Sequence, residues 1–221
     1  TSLAGFGALS TQHSDQTNDA TSWALYGQAT YPITDTVSVT AGLRYSTEEK
    51  EIGVGATVDS GLGLLLQDFP FTKAEEDWDS IDGRIALDWS VAEDVLIYAS
   101  ISTGFKSGGF TGSASSLARA TTPFDEETAI SYEVGFKSLL ADKTLQLNAT
   151  AFFTDYEDLH VTRFFQPQGG TFGEFITENA GTAEISGLEV EILWLPTEGL
   201  EIGGSYAYLD GEYTDFAGTP D

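Results

Sequence analysis

Eight stretches of the chain alternate apolar and polar residues, and they come in pairs. The clearest pair is Trp23-Ala-Leu-Tyr-Gly-Gln-Ala-Thr-Tyr31 with Val37-Ser-Val-Thr-Ala-Gly-Leu-Arg-Tyr45, joined through Ile33-Thr-Asp-Thr36. Strict period-2 alternation predicts β-strands with one apolar face. The predicted pairs are roughly 22–32 with 37–47, 80–91 with 95–104, 129–139 with 144–154, and 185–195 with 200–210. Their turns, Ile33–Thr36, Val91–Asp94, Leu140–Lys143 and Leu195–Gly199, each bring small or turn-favouring residues and an acid. Between pairs, loops of about 25 to 35 residues intervene.

One face of these strands carries Trp23, Leu25, Tyr31, Val37, Val39, Leu43, Tyr45, Ile81, Ile85, Leu87, Trp89, Ile97, Ile101, Ile130, Tyr132, Val134, Phe153, Leu188, Ile192, Trp194, Ile202, Tyr206 and Tyr208, and no charge. The other holds Arg44, Asp82, Arg84, Asp88, Glu133, Lys137, Glu189, Glu191 and Glu201. Leu96 and Tyr98 are apolar on the polar side. A charge facing lipid near the bilayer midplane costs roughly 2–4 kcal/mol, so a charge-free face on every hairpin is what a membrane barrel requires. Strands of about 10 residues, tilted about 45°, cover roughly 23 Å, the height of the apolar band of such a barrel. Aromatics gather at the strand ends, with Tyr31, Trp89 and Trp194 by the turns and Trp23, Tyr45, Phe153 and Tyr208 by the loops, as two interfacial girdles would. The expected fold is therefore all-β, a set of antiparallel transmembrane β-barrel hairpins of about eight strands. A soluble acidic β-sandwich would also alternate, but explains neither the short-turn, long-loop asymmetry nor the aromatic ends.

The 221 residues contain 35 acids and 9 bases, for a net charge of −26, and most acids lie outside the alternating stretches. No basic footprint exists for nucleic acid. Zero Cys excludes disulfides and thiolate metal sites. No apolar run approaches the length of a transmembrane helix. With no Met, the sequence reads as processed or cut from something longer.

Four segments resemble the barrel of TonB-dependent outer-membrane transporters. They are Val95-Leu-Ile-Tyr-Ala-Ser-Ile-Ser-Thr-Gly-Phe-Lys-Ser-Gly-Gly-Phe110, the acid-led strand Phe124–Lys137, Asn148-Ala-Thr-Ala-Phe-Phe-Thr-Asp-Tyr-Glu-Asp-Leu159, and Glu178-Asn-Ala-Gly-Thr-Ala-Glu-Ile-Ser-Gly-Leu-Glu-Val-Glu191. The resemblance implies a bacterial outer-membrane barrel of about 22 strands, plugged by a separate N-terminal domain. Residues 1–221 would be a partial barrel segment entering and leaving mid-barrel, with the plug domain absent. The implied role is import of a scarce nutrient, a ferric siderophore-like chelate or similar, energised by TonB. The implied partners are outer-membrane lipid or lipopolysaccharide, TonB and plug through the parent protein, and the chelate. The alternative is a complete eight-stranded barrel with a structural or adhesive role.

Enzymatic chemistry is not expected: the two His, His13 and His160, are far apart, and no nucleophile elbow or phosphate-cradling loop occurs. No cofactor is called for. Asp77–Gly83 is out of register for an EF-hand, and Glu75, Glu76, Asp77 and Asp79 are at most a loose divalent site in an acidic loop 46–79. Ligand capture points to the other long loops. Loop 155–184 holds Tyr156, His160, Arg163, Phe164, Phe165, Phe172 and Phe175; loop 103–128 adds Phe105, Lys106, Phe110 and Arg119. Aromatics around Arg suit an anionic, aromatic metal chelate. The competing role for each is to pack the loops or form the outer girdle. The acidic loop 46–79 would repel an anionic chelate and leaves cationic or neutral substrates open.

Overall fold

A computed structural model describes residues 11–59, 68–112, 116–166 and 174–216. The main strands are β1 (Thr11–Pro32), β2 (Val37–Asp59), β3 (Phe69–Ala92) and β4 (Val95–Lys106). After β4 come β5 (Gly109–Phe110), the single-turn helix α1 (Leu117–Ala120) and β6 (Pro123–Phe124). The chain continues with β7 (Glu127–Leu140), β8 (Leu145–Glu157), β9 (His160–Phe165), β10 (Glu174–Asn179), β11 (Gly181–Thr197) and β12 (Leu200–Phe216). Eight of these form one antiparallel sheet in the order β1-β2-β3-β4-β7-β8-β11-β12. The pairs β5–β6 and β9–β10 are small separate sheets inserted between main strands.

The sheet is a meander, and its pairing follows the predicted hairpins. The outer strands β1 and β12 have no second sheet neighbour among the described residues, so the eight strands do not close as a small barrel. The main strands also lie in one sheet, which leaves no opposed pair for a sandwich.

One row of register partners crosses all eight strands: Tyr31, Val39, Leu87, Ala99, Val134, Ala151, Leu188 and Tyr208. Tyr31 lies one residue from the turn-side end of β1, whereas Tyr208 lies eight residues from that of β12. The row thus climbs about one residue per strand. With about 3.3 Å per residue and about 4.8 Å between strands, the tilt is about 35°, within the range of transmembrane barrels. The face containing this row is open to its surroundings: Leu25, Ile81 and Ile85 are 72%, 71% and 62% exposed. An apolar face this large and uncovered requires a non-aqueous neighbour. Trp23 and Tyr45 meet edge-to-face at 5.4 Å by the loops, while Trp89 and Trp194 stand exposed by the turns.

On the opposite face two large rings lie over glycine. Tyr98 lies across Gly135, where a Cβ would come within 2.8 Å of its ring, and its hydroxyl shares a 2.9 Å hydrogen bond with Thr150. Phe152 lies across Gly187 in the same way, 2.5 Å from a Cβ built there. Glycine opposite an aromatic ring lets the ring lie flat on the sheet. This is the physical reason for Tyr98 on the polar side.

The expected loop 46–79 is corrected by the structure. Residues 46–59 of β2 pair with β1, and residues 46–56 pair, with a bulge, with residues 69–80 of β3, so the hairpin rises roughly 35 Å beyond the apolar band. Its strands are charged because water, not lipid, surrounds them there. Glu75, Asp77 and Asp79 share one face of β3 by alternation, with Glu76 on the other. No group of metal-ligating side chains occurs among the described residues.

Candidate functional site

The elements beyond the apolar band interlock. Ile52, Val54 and Ala120 form a small buried core, lined by Phe69, Ala74, Phe110 and Leu117. It joins the tall β2–β3 hairpin to the β4–β7 connection. Lys50 strengthens the joint: its ammonium donates to Ser107 Oγ at 2.9 Å and to the Gly108 carbonyl at 2.6 Å, and lies 3.1 Å from Glu48. It also stands 5.6 Å from the centre of the Trp78 ring. Gly108 is required here, because a Cβ would fall 2.0 Å from the Phe124 carbonyl.

The β9–β10 hairpin is fastened to the same connection. Asn179 is the main fastener. Its amide donates to the carbonyls of Asp125 (3.0 Å), Glu126 (3.2 Å) and Asp158 (2.8 Å), and its oxygen accepts from the Asp125 N–H at 2.8 Å. Its two N–H groups serve three carbonyls, so one N–H is shared between two of them, and the side chain ties the backbone at 125–126 and at 158 to β10. Thr111 adds bonds to the N–H and carbonyl of Thr177. The His160 ring bonds the Asp125 carbonyl at 2.8 Å and meets Phe124 edge-to-face at 4.8 Å, while the His160 N–H donates to Glu127 at 3.1 Å.

Between the hairpin and the α1–β6 segment lies a cleft of about 590 Å³. Arg119, Arg163, Phe165, Thr122, Phe124, Asp125, Glu178 and Asn179 line it. The Phe165 ring is flanked by two guanidiniums: Arg119 at 3.9 Å and Arg163 at 5.5 Å from its centre. Arg119 donates to the buried Glu174 at 2.8 Å. Arg163 grips Glu178 in bidentate fashion, through Nε and, at 3.1 Å, Nη2. The hydrogen bond and charge of Glu178 raise the Arg163 pKa further above its ordinary value. Register explains the pairing: Arg163 stands opposite Ile176, and Glu178 is its diagonal neighbour on the same face.

The sequence-predicted residues therefore separate. Arg163 and Phe165 share the cleft. Phe164 and Phe175 are direct partners, 5.4 Å apart and both exposed. Phe110 lies in the small core, 6.3 Å from Trp78, and His160 belongs to the fastening. Lys106 pairs with Glu127 at 3.3 Å. Alternation places Phe105 on the outward face with Ile97 and Ile101, and Tyr156 on the polar face with Thr154 and Phe152. Phe172 lies outside the described residues. Asn179, Glu174 and Glu178 were missed as partners of this assembly. The pairing of β9 with β10 was needed to find the two acids, and no sequence periodicity announces it.

A tilted antiparallel meander with an uncovered apolar face, aromatic belts and an interlocked loop assembly on one side is the wall of an outer-membrane β-barrel. The particular family is the TonB-dependent receptor-like β-barrel, which matches residues 2–221, and the chain belongs to it. It is an outer-membrane protein of a receptor and transporter family, not an enzyme family. The chain is 27% identical over 171 residues to the pesticin receptor of Yersinia enterocolitica, covering 77% of this chain and 23% of that protein. It is 27% identical over 146 residues to the metal-pseudopaline receptor of Pseudomonas aeruginosa, covering 66% and 19%. The ferric yersiniabactin uptake receptor of Yersinia pestis superposes with a TM-score of 0.76 at 23% identity, over 92% of this chain and 28% of that one. The siderophore receptor PiuA of Acinetobacter baumannii gives 0.68 at 21% identity, over 92% and 27%. The chain thus spans about a quarter of the length of the relatives it matches.

Proposed function

We propose that this chain is a sector of a TonB-energised receptor that captures a metal chelate at its outer loops and imports it. The plug and the TonB contact then lie in the rest of the receptor, and outer-membrane lipid surrounds the apolar face. The observation that carries this reading is the cleft: an aromatic ring, two guanidiniums and several hydrogen-bonding groups converge in a space of ligand size. Receptors for metal-pseudopaline and for ferric yersiniabactin among the similar proteins support a metal chelate as the class of cargo. Arg163 and Phe165 are the inner contacts of the proposed site. Phe164 and Phe175 form an exposed aromatic pair on the hairpin face that alternates away from Arg163 and Phe165, and Lys106 and Tyr156 lie nearer the sheet.

The test is uptake of radiolabelled ferric chelates by iron-starved cells carrying the full-length receptor. Uptake is expected to need both the receptor and TonB. Removing residues 160–179 should abolish it while the barrel still migrates as a folded species on a gel. Undiminished uptake without TonB, or without the hairpin, refutes the reading.

A further inference from the structure

The cleft contains two guanidiniums, yet both are already engaged. Arg119 is held by Glu174 and stacked on Phe165; Arg163 is held by both carboxylate oxygens of Glu178. The same is true of the surrounding assembly. Lys50 contacts Glu48, Lys73 contacts Glu51, and Lys106 contacts Glu127. Among the described residues on the loop side of the apolar band, every Lys and Arg is thus matched by a glutamate. The charge left over is negative. Within the cleft it is Asp125, whose bonds to Asn179 and His160 all run through its backbone. An anion entering the cleft would meet this carboxylate and would have to prise a guanidinium from its partner. A cation or neutral molecule meets Phe165, Thr122 and Asn179 with no such conflict.

We infer that the cleft admits neutral or cationic ligands and discriminates against anionic ones. Resting on the transport reading above, the imported chelate then bears no net negative charge. The aromatic-plus-arginine pattern that suggests an anionic chelate is accounted for by internal ion pairs.

The experiment reads the field of the cleft without needing its cargo. Residues 1–221 have no Cys, and Thr122→Cys, in a full-length receptor with any Cys elsewhere replaced by Ser, gives a single labelling site on the cleft wall. A neutral fluorophore there is quenched with caesium, acrylamide and iodide at about 10 mM ionic strength. The caesium-to-iodide quenching ratio should exceed that of the free dye by about threefold or more, because a charged cleft concentrates ions of opposite sign. It should fall towards the free-dye value in about 1 M inert salt, where the screening length is about 3 Å. Asp125→Asn and Glu178→Gln should each lower the ratio. A ratio equal to or below that of the free dye at low salt overturns the inference.

A second arm uses a linear ferric trihydroxamate with a free amine, its N-acetylated neutral form and its N-succinylated anionic form. Uptake should fall in that order, and preferred uptake of the anionic form also overturns the inference. If none is taken up, the transport reading fails for this chelate class, and the quenching ratio still decides the charge selectivity.

Discussion

Val134→Arg tests the assignment of faces at its most sensitive point. Val134 belongs to the row that crosses all eight strands and is 52% exposed. It lies six residues from the turn-side end of β7. At a tilt of about 35°, each residue rises about 2.7 Å along the membrane normal, which puts Val134 about 16 Å into an apolar band about 25 Å tall. An arginine facing lipid at that depth costs about 2–4 kcal/mol, a factor of roughly 30 to 1,000 in the folding equilibrium. Asn148→Arg is the matched control. It lies on the polar face between Lys137 and Glu191, one charge of each sign, and its cost should stay below about 1 kcal/mol. The assay is urea-dependent folding of the full-length receptor into lipid vesicles, followed by gel mobility of the folded form. Equal costs, or a larger cost for Asn148→Arg, would refute the placement of lipid on this face.

Gly135→Val forces a side chain to within 2.8 Å of Tyr98 and 2.7 Å of the Ala149 carbonyl, so the detergent-solubilised barrel should lose about 1–3 kcal/mol, seen as a lower melting temperature. Asn179→Leu unties three backbone segments; amide exchange at residues 125–127 and 158–160 should accelerate by tenfold or more while exchange in β7 and β8 is unchanged. Ile52→Ala opens the small outer core, whose fully buried Ile52 should be worth about 2–4 kcal/mol locally, read as faster proteolysis of the β2–β3 hairpin. The hydrogen bond and charge of Glu51 raise the Lys73 pKa. The contribution of this pair is therefore fully present below the ordinary lysine pKa and is lost as pH rises through the raised folded-state value. Amide exchange at residues 51–53 and 73–75 should accordingly stay flat through neutral pH, after correction for intrinsic rates, and rise only in strong alkali.

Where lipid imposes a rule, the sequence was readable. Each residue from Trp23 to Tyr31 must choose between hydrocarbon and the polar side, so its alternation discloses strand, face and turn. Beyond the band, that constraint ends. Glu48, Glu49 and Glu51 need no lipid-facing side and Lys50 turns to Ser107 and Gly108, so this run forms strand without an apolar period; the alternation of Ile52, Val54 and Ala56 that follows is set by the small core instead. Tyr98 and Phe152 broke the alternation because Gly135 and Gly187, on neighbouring strands, make room for them, and such cross-strand pairs need the register. The candidate site was half legible for a similar reason. Arg163 and Phe165 were found by type, but their engagement by Glu178 and Arg119 depends on hairpin pairing and on α1. Phe110 had no visible reason to be core until the β2–β3 extension supplied Ile52 and Val54 to cover it.

This sheet is a membrane wall with its apolar face in lipid. Nitroxide labels placed singly at residues 129–138 along β7 of the full-length receptor, in outer membranes, test it directly. Collision with oxygen should peak at 130, 132, 134 and 136, and collision with a water-soluble nickel chelate should peak at the residues between. A flat profile, or one of opposite phase, would contradict the account.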